Sequence, residues 1–118
     1  MHKQFAHKGL WRAENNVAAW DLVLGKRRGT EDVSVYEAPA RAPDLSGLPP
    51  TRLNDGSAEL FRDEVVAYAS KMWEQGGQAE RHVWPGGWHS FDGFAPTSAL
   101  AKVCHETRLA WMKRILSQ

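Results

Sequence analysis

Cysteine is nearly absent from the sequence, with one residue in a chain of 118. A single thiol can form neither an intrachain disulfide nor a zinc site with several cysteine ligands. One cysteine is also compatible with a reducing compartment, and we therefore favour the cytoplasm. An excess of one charge is lacking as well, because 15 Lys and Arg residues stand against 14 Asp and Glu residues. This balance argues against nucleic acid or an anionic membrane as a partner.

Long apolar runs are missing too. No stretch approaches the ~20 residues that span a bilayer, and residues 1–8 are polar, unlike a secretory leader with its apolar centre. We therefore expect no membrane span and no secretory signal. What the sequence does have is an ordinary globular composition, 42% hydrophobic and 25% charged, which argues against a wholly disordered chain. Its length fits one domain or part of one.

The first half of the chain carries one helical pattern. Residues 1–13 show no hydrophobic period, and we interpret them as a loosely ordered arm ahead of a folded unit over residues 14–118. Apolar side chains recur on one face at 14–24, which predicts a helix with Asn15 or Asn16 as its N-cap. Four prolines lie within 37–50 and predict an extended segment without helix.

The second half alternates strands and helices. Strands are predicted at 51–54 and 79–84, a helix at 61–75 lies between them, and a last long helix opens with Pro96 in its first turn. The expected inward face of this last helix consists of Leu100, Val103, Cys104, Trp111 and Ile115.

This alternation predicts an α/β fold in which helices cover the faces of a parallel sheet. Two parallel strands with three main helices cannot bury both faces of a sheet by themselves. We therefore predict one end of a larger doubly wound domain.

Chemistry-bearing residues follow each strand, in the loop at its carboxyl end. Glu59 follows the first strand and His89 the second, and functional groups gather at this edge of open α/β sheets. An acid followed by a histidine is the order of the last two members of a hydrolase triad. The imidazole takes the proton of a serine nucleophile, and the carboxylate fixes the tautomer of the imidazole. The alternative is a structural acid–histidine pair.

Three longer sequence motifs resemble those of the hormone-sensitive-lipase-like esterases, which belong to α/β-hydrolase fold 3. They are DLSGLPP at 44–50, ELFRDEVVAYA at 59–69 and HVWPGGWHSF at 82–91, in the order that this family has them. The resemblance implies the C-terminal portion of the hydrolase sheet. It makes Glu59 the triad acid, where the family usually has Asp, and His89 the base. Ser90 stands where the family often has Gly. Asp55 and Asp63 are the fallback acids.

The family's nucleophile elbow, G-x-S-x-G, and its H-G-G-G oxyanion motif are both missing. None of the seven serines has glycine at both i−2 and i+2. The resemblance therefore implies a carboxylester hydrolase, acting on small-molecule esters without a cofactor, whose nucleophile lies upstream of the matched region. We expect the isolated chain to be inactive. The alternatives are a non-catalytic remnant that binds or oligomerises, and a two-chain enzyme completed by an N-terminal piece.

Other candidates carry less weight. A metal site of Cys104 with His82, His89 and His105 is disfavoured, because Cys104 and His105 point about 100° apart on a helix. Cys104 as a nucleophile is disfavoured by its apolar helix face. The aromatic residues around His89 either line a substrate pocket or pack in the core: Trp84, Trp88 and Phe91.

Overall fold

The computed structural model of the chain describes residues 3–117. Its α-helices and strands, in chain order, are α1 (Ala13–Leu24), β1 (Thr51–Gly56), α2 (Arg62–Glu74), β2 (Ala79–Trp84), α3 (Phe91–Phe94) and α4 (Ala99–Leu116). Single 3-10 turns lie at Lys3–Phe5, Gly25–Arg27 and Pro39–Arg41. The order of strands and main helices is the predicted one.

The two strands pair in parallel, in a register that runs from Thr51 opposite Ala79 to Gly56 opposite Trp84. Side chains alternate between the two faces of the sheet. On one face, Leu53 packs against an apolar cluster that includes Met72 of α2. On the other face, Asn54 accepts hydrogen bonds from the Trp84 indole and, at 3.3 Å, from the Cys104 thiol of α4. The sheet therefore has one helix on each side, as an α/β fold requires.

Two small apolar clusters form the core. The first, which includes Met72, joins α2 and β1 to the proline-rich segment, and the Gln75 side chain secures that segment by bonding the backbone of Pro43 and Leu45. The second cluster joins α3 to α4 through Phe91, Ala101 and Cys104. As predicted, residues 37–50 contain no α-helix, although Pro39–Arg41 makes one 3-10 turn.

The N-cap predicted for α1 and the start predicted for α4 were wrong. Arg12, not Asn15 or Asn16, is the N-cap of α1, and the Asn15 side chain reaches back to accept the Arg12 N–H at 3.2 Å. At α4, the Ser98 hydroxyl accepts the Ala101 N–H at 3.2 Å, so that the helix begins after Pro96 rather than with it. In both cases a side-chain oxygen that satisfies an orphan N–H decides the boundary.

Other boundaries shifted because of tertiary contacts. β1 extends to Gly56, since Asp55 and Gly56 continue the ladder opposite β2. Residues 91–94 form the short helix α3, which the sequence analysis missed. On α4, Ala101 and Cys104 are buried and Leu100 packs against their cluster. Val103 is 49% exposed, contrary to the prediction.

The division into an arm over 1–13 and a unit over 14–118 stays a prediction, and residues 1, 2 and 118 lie outside the described residues. Within the arm, the Ala13 N–H bonds the Ala6 carbonyl at 2.7 Å. No helix in the described part of the chain is long and apolar enough to cross a membrane.

Candidate active site

The loops that follow β1 and β2 are held together by backbone contacts. The Ala58 N–H donates to the Gly87 carbonyl at 2.9 Å, and the Gly86 N–H donates to the Ser57 hydroxyl at 2.8 Å. A Cβ added to Gly56 would lie 2.0 Å from the Gly87 oxygen. Only glycine therefore permits this approach, which sets the loop carrying Glu59 against the loop carrying His89.

Glu59 and His89, which the sequence analysis singled out, are in direct contact. The His89 Nδ1 atom lies 3.0 Å from Glu59 Oε2, and the side chains are 33% and 5% exposed, respectively. The other carboxylate oxygen, Oε1, accepts the Phe61 N–H at 2.7 Å. An ionised carboxylate only accepts hydrogen bonds, so Nδ1 carries the proton of the neutral imidazole. The lone pair is then on Nε2, for which no partner occurs within residues 3–117.

The residue after this histidine has an unusual backbone. Ser90 adopts φ 60° and ψ 27° and is the sole non-glycine residue with positive φ in the described part of the chain. The left-handed region favours glycine, so Ser90 occupies a backbone conformation that a glycine would adopt with less strain. The turn places His89 directly before α3, and Phe91 of that helix is buried in the second core cluster.

Two aromatic rings contact the His89 imidazole. Trp11 stacks on it with a centroid distance of 5.8 Å and an interplanar angle of 26°, and Phe61 meets it edge-on at 5.8 Å. Trp11 was not predicted as a contact of His89, because it lies in the segment without a hydrophobic period and no local pattern connects it to residue 89.

An open apolar cavity of about 840 Å³ lies beside His89. Its walls include side chains from the arm, α1, β1 and α2, among them Trp11, Trp20, Leu53, Phe61 and Tyr68. Trp88 and Phe91 border a smaller cavity of about 260 Å³ together with Glu59 and His89, and Trp84 borders neither cavity. All three predicted pocket residues also pack in the second core cluster, and their role in binding substrate stays a prediction.

The fallback acids lie in different surroundings. Asp55 is buried on β1, where Oδ2 is 3.5 Å from Arg81 and Oδ1 has no hydrogen-bond partner among the described residues. Burial raises the pKa of Asp55 to about 6, with Arg81 acting against the rise and the charge of Glu59 adding to it. Asp63 lies in the first turn of α2 and accepts from Arg62 Nε at 2.8 Å. The acid in contact with His89 is Glu59.

The residues considered as metal ligands each contact a different partner. Cys104 is buried against Asn54, and His105 Nε2 lies 3.1 Å from the Asp92 carbonyl. His82 contacts Glu80. Within residues 3–117, no group of three or more His, Cys, Asp or Glu side chains is arranged to hold a metal ion.

Comparison with known proteins identifies the class. A sequence model of the alpha/beta hydrolase fold matches residues 1–93, and the chain belongs to this family. A bacterial heroin esterase is similar in structure, with a TM-score of 0.87 and 34% identity over 93% of this chain and 35% of that one. Esterase LipW from Mycobacterium marinum gives a TM-score of 0.78 and 28% identity, over 86% of this chain and 31% of that one. The chain matches no curated protein sequence.

A third relative, an esterase from Pyrobaculum calidifontis, gives a TM-score of 0.66 and 28% identity over 71% of this chain and 27% of that one. The chain thus spans about a third of the length of these solved esterases, as the heroin esterase coverage of 35% illustrates. These findings confirm the predicted family, the α/β fold and the incompleteness of the sheet.

Proposed function

We propose that the chain supplies the acid and the base of a carboxylester hydrolase with a Ser-Glu-His mechanism. The observation that carries the proposal is the bond between His89 Nδ1 and the buried Glu59 carboxylate, which leaves Nε2 without a partner within residues 3–117. His89 also lines an open apolar cavity. The nucleophilic serine and the oxyanion donors come from an upstream segment of the same protein. The substrate is a small-molecule carboxylic ester, and the reaction needs no cofactor.

The mechanism follows from the chemistry of these two side chains. His89 Nε2 accepts the proton of the serine hydroxyl as its oxygen attacks the ester carbonyl carbon. Glu59 stabilises the imidazolium, which then gives the proton to the departing alcohol as the C–O bond breaks. Water repeats the sequence on the acyl-enzyme and releases the carboxylic acid. Glu59 can replace the usual Asp because Phe61 N–H fixes Oε1 and directs Oε2 at the ring.

The test uses the natural protein that contains this chain, with p-nitrophenyl acetate as substrate. His89→Ala should lower kcat by about 10³-fold or more, because serine loses its general base. His82→Ala is the matched control, since His82 also bonds a glutamate and stacks on a tryptophan. It should stay within about threefold of the wild type. An equal kcat in the wild type and in His89→Ala would contradict the proposal that His89 is the general base.

A binding or oligomerising remnant is the second candidate. It is favoured by large apolar side chains on the surface, such as Leu22, Tyr36 and Phe94, which are 88%, 94% and 67% exposed. Each strand also has one neighbour within the described residues, which leaves sheet edges open. An upstream segment, a separate N-terminal piece or a second copy could cover these surfaces.

Sedimentation, which reports mass and self-association, distinguishes the two candidates when it is combined with an assay of ester hydrolysis. A natural protein of about 13.3 kDa that self-associates and does not hydrolyse esters supports the remnant. A longer polypeptide that hydrolyses them supports the esterase. For either form we favour the cytoplasm, with which a single cysteine is compatible.

A further inference from the structure

Among the described residues that contact His89, Trp11 lies furthest from it in the sequence. Its ring stacks on the imidazole at 5.8 Å, while Glu59 bonds the Nδ1 edge and Phe61 meets the ring edge-on. The imidazole is therefore held by three groups from two other parts of the chain. Glu59 and Phe61 precede or enter α2, whereas Trp11 comes from the segment before α1.

Backbone bonds fix the place of Trp11. The residue that follows it, Arg12, is the N-cap of α1, and its N–H donates to the Asn15 side chain at 3.2 Å. The next N–H, of Ala13, donates to the Ala6 carbonyl at 2.7 Å. These two bonds set the direction in which the chain enters α1 and bring the indole over His89.

The indole occupies this place at a cost. Its Nε1 atom is buried and has no hydrogen-bond partner among the described residues, and an unpaired buried donor is unfavourable. A hydrogen bond within residues 3–117 therefore does not explain why Trp11 lies here. What the ring offers His89 is its aromatic face, which attracts the imidazolium that forms during proton transfer.

We propose that Trp11 is a positioning residue for His89, which keeps Nδ1 on Glu59 and leaves Nε2 free for the nucleophile. Its effect on turnover rests on the function proposed above, whereas its effect on the imidazole does not. An aliphatic residue at position 11 would fill part of the space without an aromatic face. A phenylalanine would keep the face and lose the unpaired N–H.

The experiment compares Trp11→Phe and Trp11→Leu in the natural protein that contains this chain. Trp11→Leu should lower kcat for p-nitrophenyl acetate about threefold to tenfold, with a smaller change in KM, because the imidazolium loses its aromatic contact. Trp11→Phe should stay within about twofold of the wild type. Trp73→Leu is the control, since Trp73 lies on α2 and is 50% exposed. It should retain the wild-type kcat.

A second readout does not depend on activity. In ¹⁵N-edited spectra at neutral pH, His89 should show one tautomer, with the proton on Nδ1, in the wild type and in Trp11→Phe. In Trp11→Leu it should show a mixture of both tautomers. Trp11→Met takes the place of Trp11→Leu if that variant does not fold.

The outcomes separate the two proposals. A single Nδ1–H tautomer in the aliphatic variant, or equal losses of kcat in Trp11→Phe and Trp11→Leu, would overturn the positioning role. If the wild type hydrolyses no ester, the proposed function fails, and the tautomer spectra still decide the role of Trp11.

Discussion

Two clusters of the same three residue types lie in this molecule. In the site cluster, His89 bonds Glu59 at 3.0 Å and stacks on Trp11. In the strand cluster, His82 bonds Glu80 at 2.9 Å and stacks on Trp84, with ring centroids 5.5 Å apart and an interplanar angle of 9°. By distance alone, the strand cluster is as well formed as the site cluster.

The clusters differ in three respects. The strand cluster is local, since its members alternate along β2 on one face of the sheet, whereas the site cluster joins distant segments. Glu80 is 32% exposed and also binds Arg114, but Glu59 is 5% exposed and is fixed by the Phe61 N–H. Finally, His82 uses Nε2 for its glutamate and His89 uses Nδ1. A glutamate–histidine contact is therefore not a catalytic signature until burial, anchoring and the free nitrogen are considered.

The largest difference is expected when each glutamate is changed to glutamine. Glu59→Gln should lower kcat of the natural protein by about 10³-fold to 10⁴-fold, because an amide neither selects the Nδ1–H tautomer nor stabilises the imidazolium. Glu80→Gln should change kcat by less than about threefold. Steady-state hydrolysis of p-nitrophenyl acetate measures both values. Similar losses of kcat in Glu59→Gln and Glu80→Gln would contradict a special role of the site cluster.

The next prediction concerns the close approach of the two loops that carry Glu59 and His89. It compares the free energy of unfolding after a substitution at this approach and at a glycine outside it. Gly56→Ala should lower the free energy of unfolding by about 3 kcal/mol or more, because the new Cβ meets the Gly87 oxygen at 2.0 Å. Gly93→Ala is the matched control, since nothing lies within 4 Å of its Cβ, and it should change stability by about 1 kcal/mol or less. Urea titrations report both, and an unchanged Gly56→Ala protein would refute the packing of the loops.

Lowering the pH should have opposite effects on the contributions of Asp55 and Glu80 to the stability of the fold. The folded protein raises the pKa of Asp55 from its ordinary value of 3.8 to about 6, so the unfolded chain loses this proton first. Stability from Asp55 is then greatest below pH 4 and falls by up to about 3 kcal/mol as pH rises through 6. The bond from His82 lowers the pKa of Glu80, and its contribution is lost as pH falls.

Asp55→Asn isolates the first effect. Other acids act oppositely, such as Glu37, whose pKa Arg27 lowers to about 2, so the variant and the wild type are compared at each pH. In urea titrations, Asp55→Asn should gain stability relative to the wild type between pH 4.5 and pH 7.5. A constant difference between the two proteins would contradict the raised pKa.

The smallest effect is expected at the edge of the strand cluster. Arg114→Gln removes the ion pair with Glu80, whose two side chains are 56% and 32% exposed. Exposed pairs contribute little because water and salt screen them, so the loss should be below about 1 kcal/mol. A loss as large as that of Gly56→Ala would show that the strand cluster is more than a surface feature.

The sequence was informative where local patterns determine the structure. Periodicity predicted β2 at 79–84 and α2 within one residue at each end. Glu59 and His89 were predicted as site residues from their positions in the loops after the strands, because parallel strands end at one edge of a sheet. The α/β-hydrolase resemblance added the order of the three sequence motifs.

The rest depends on contacts between distant residues. The stacking of Trp11 on His89 joins two segments that no periodicity connects. The extension of β1 through Asp55 requires the ladder with β2, and the cap at Ser98 competes with the signal of Pro96. Such choices are decided by hydrogen bonds that form only in the folded chain.

The most direct test of the account is the protonation of the two histidines in ¹⁵N-edited imidazole spectra of the natural protein at neutral pH. The account predicts that neutral His89 carries its proton on Nδ1, with Nε2 free, and that His82 carries its proton on Nε2, toward Glu80. Glu59→Gln should remove the preference at His89 alone. An Nε2–H tautomer at His89 would contradict the assignment of Glu59 and His89 as the acid–base pair.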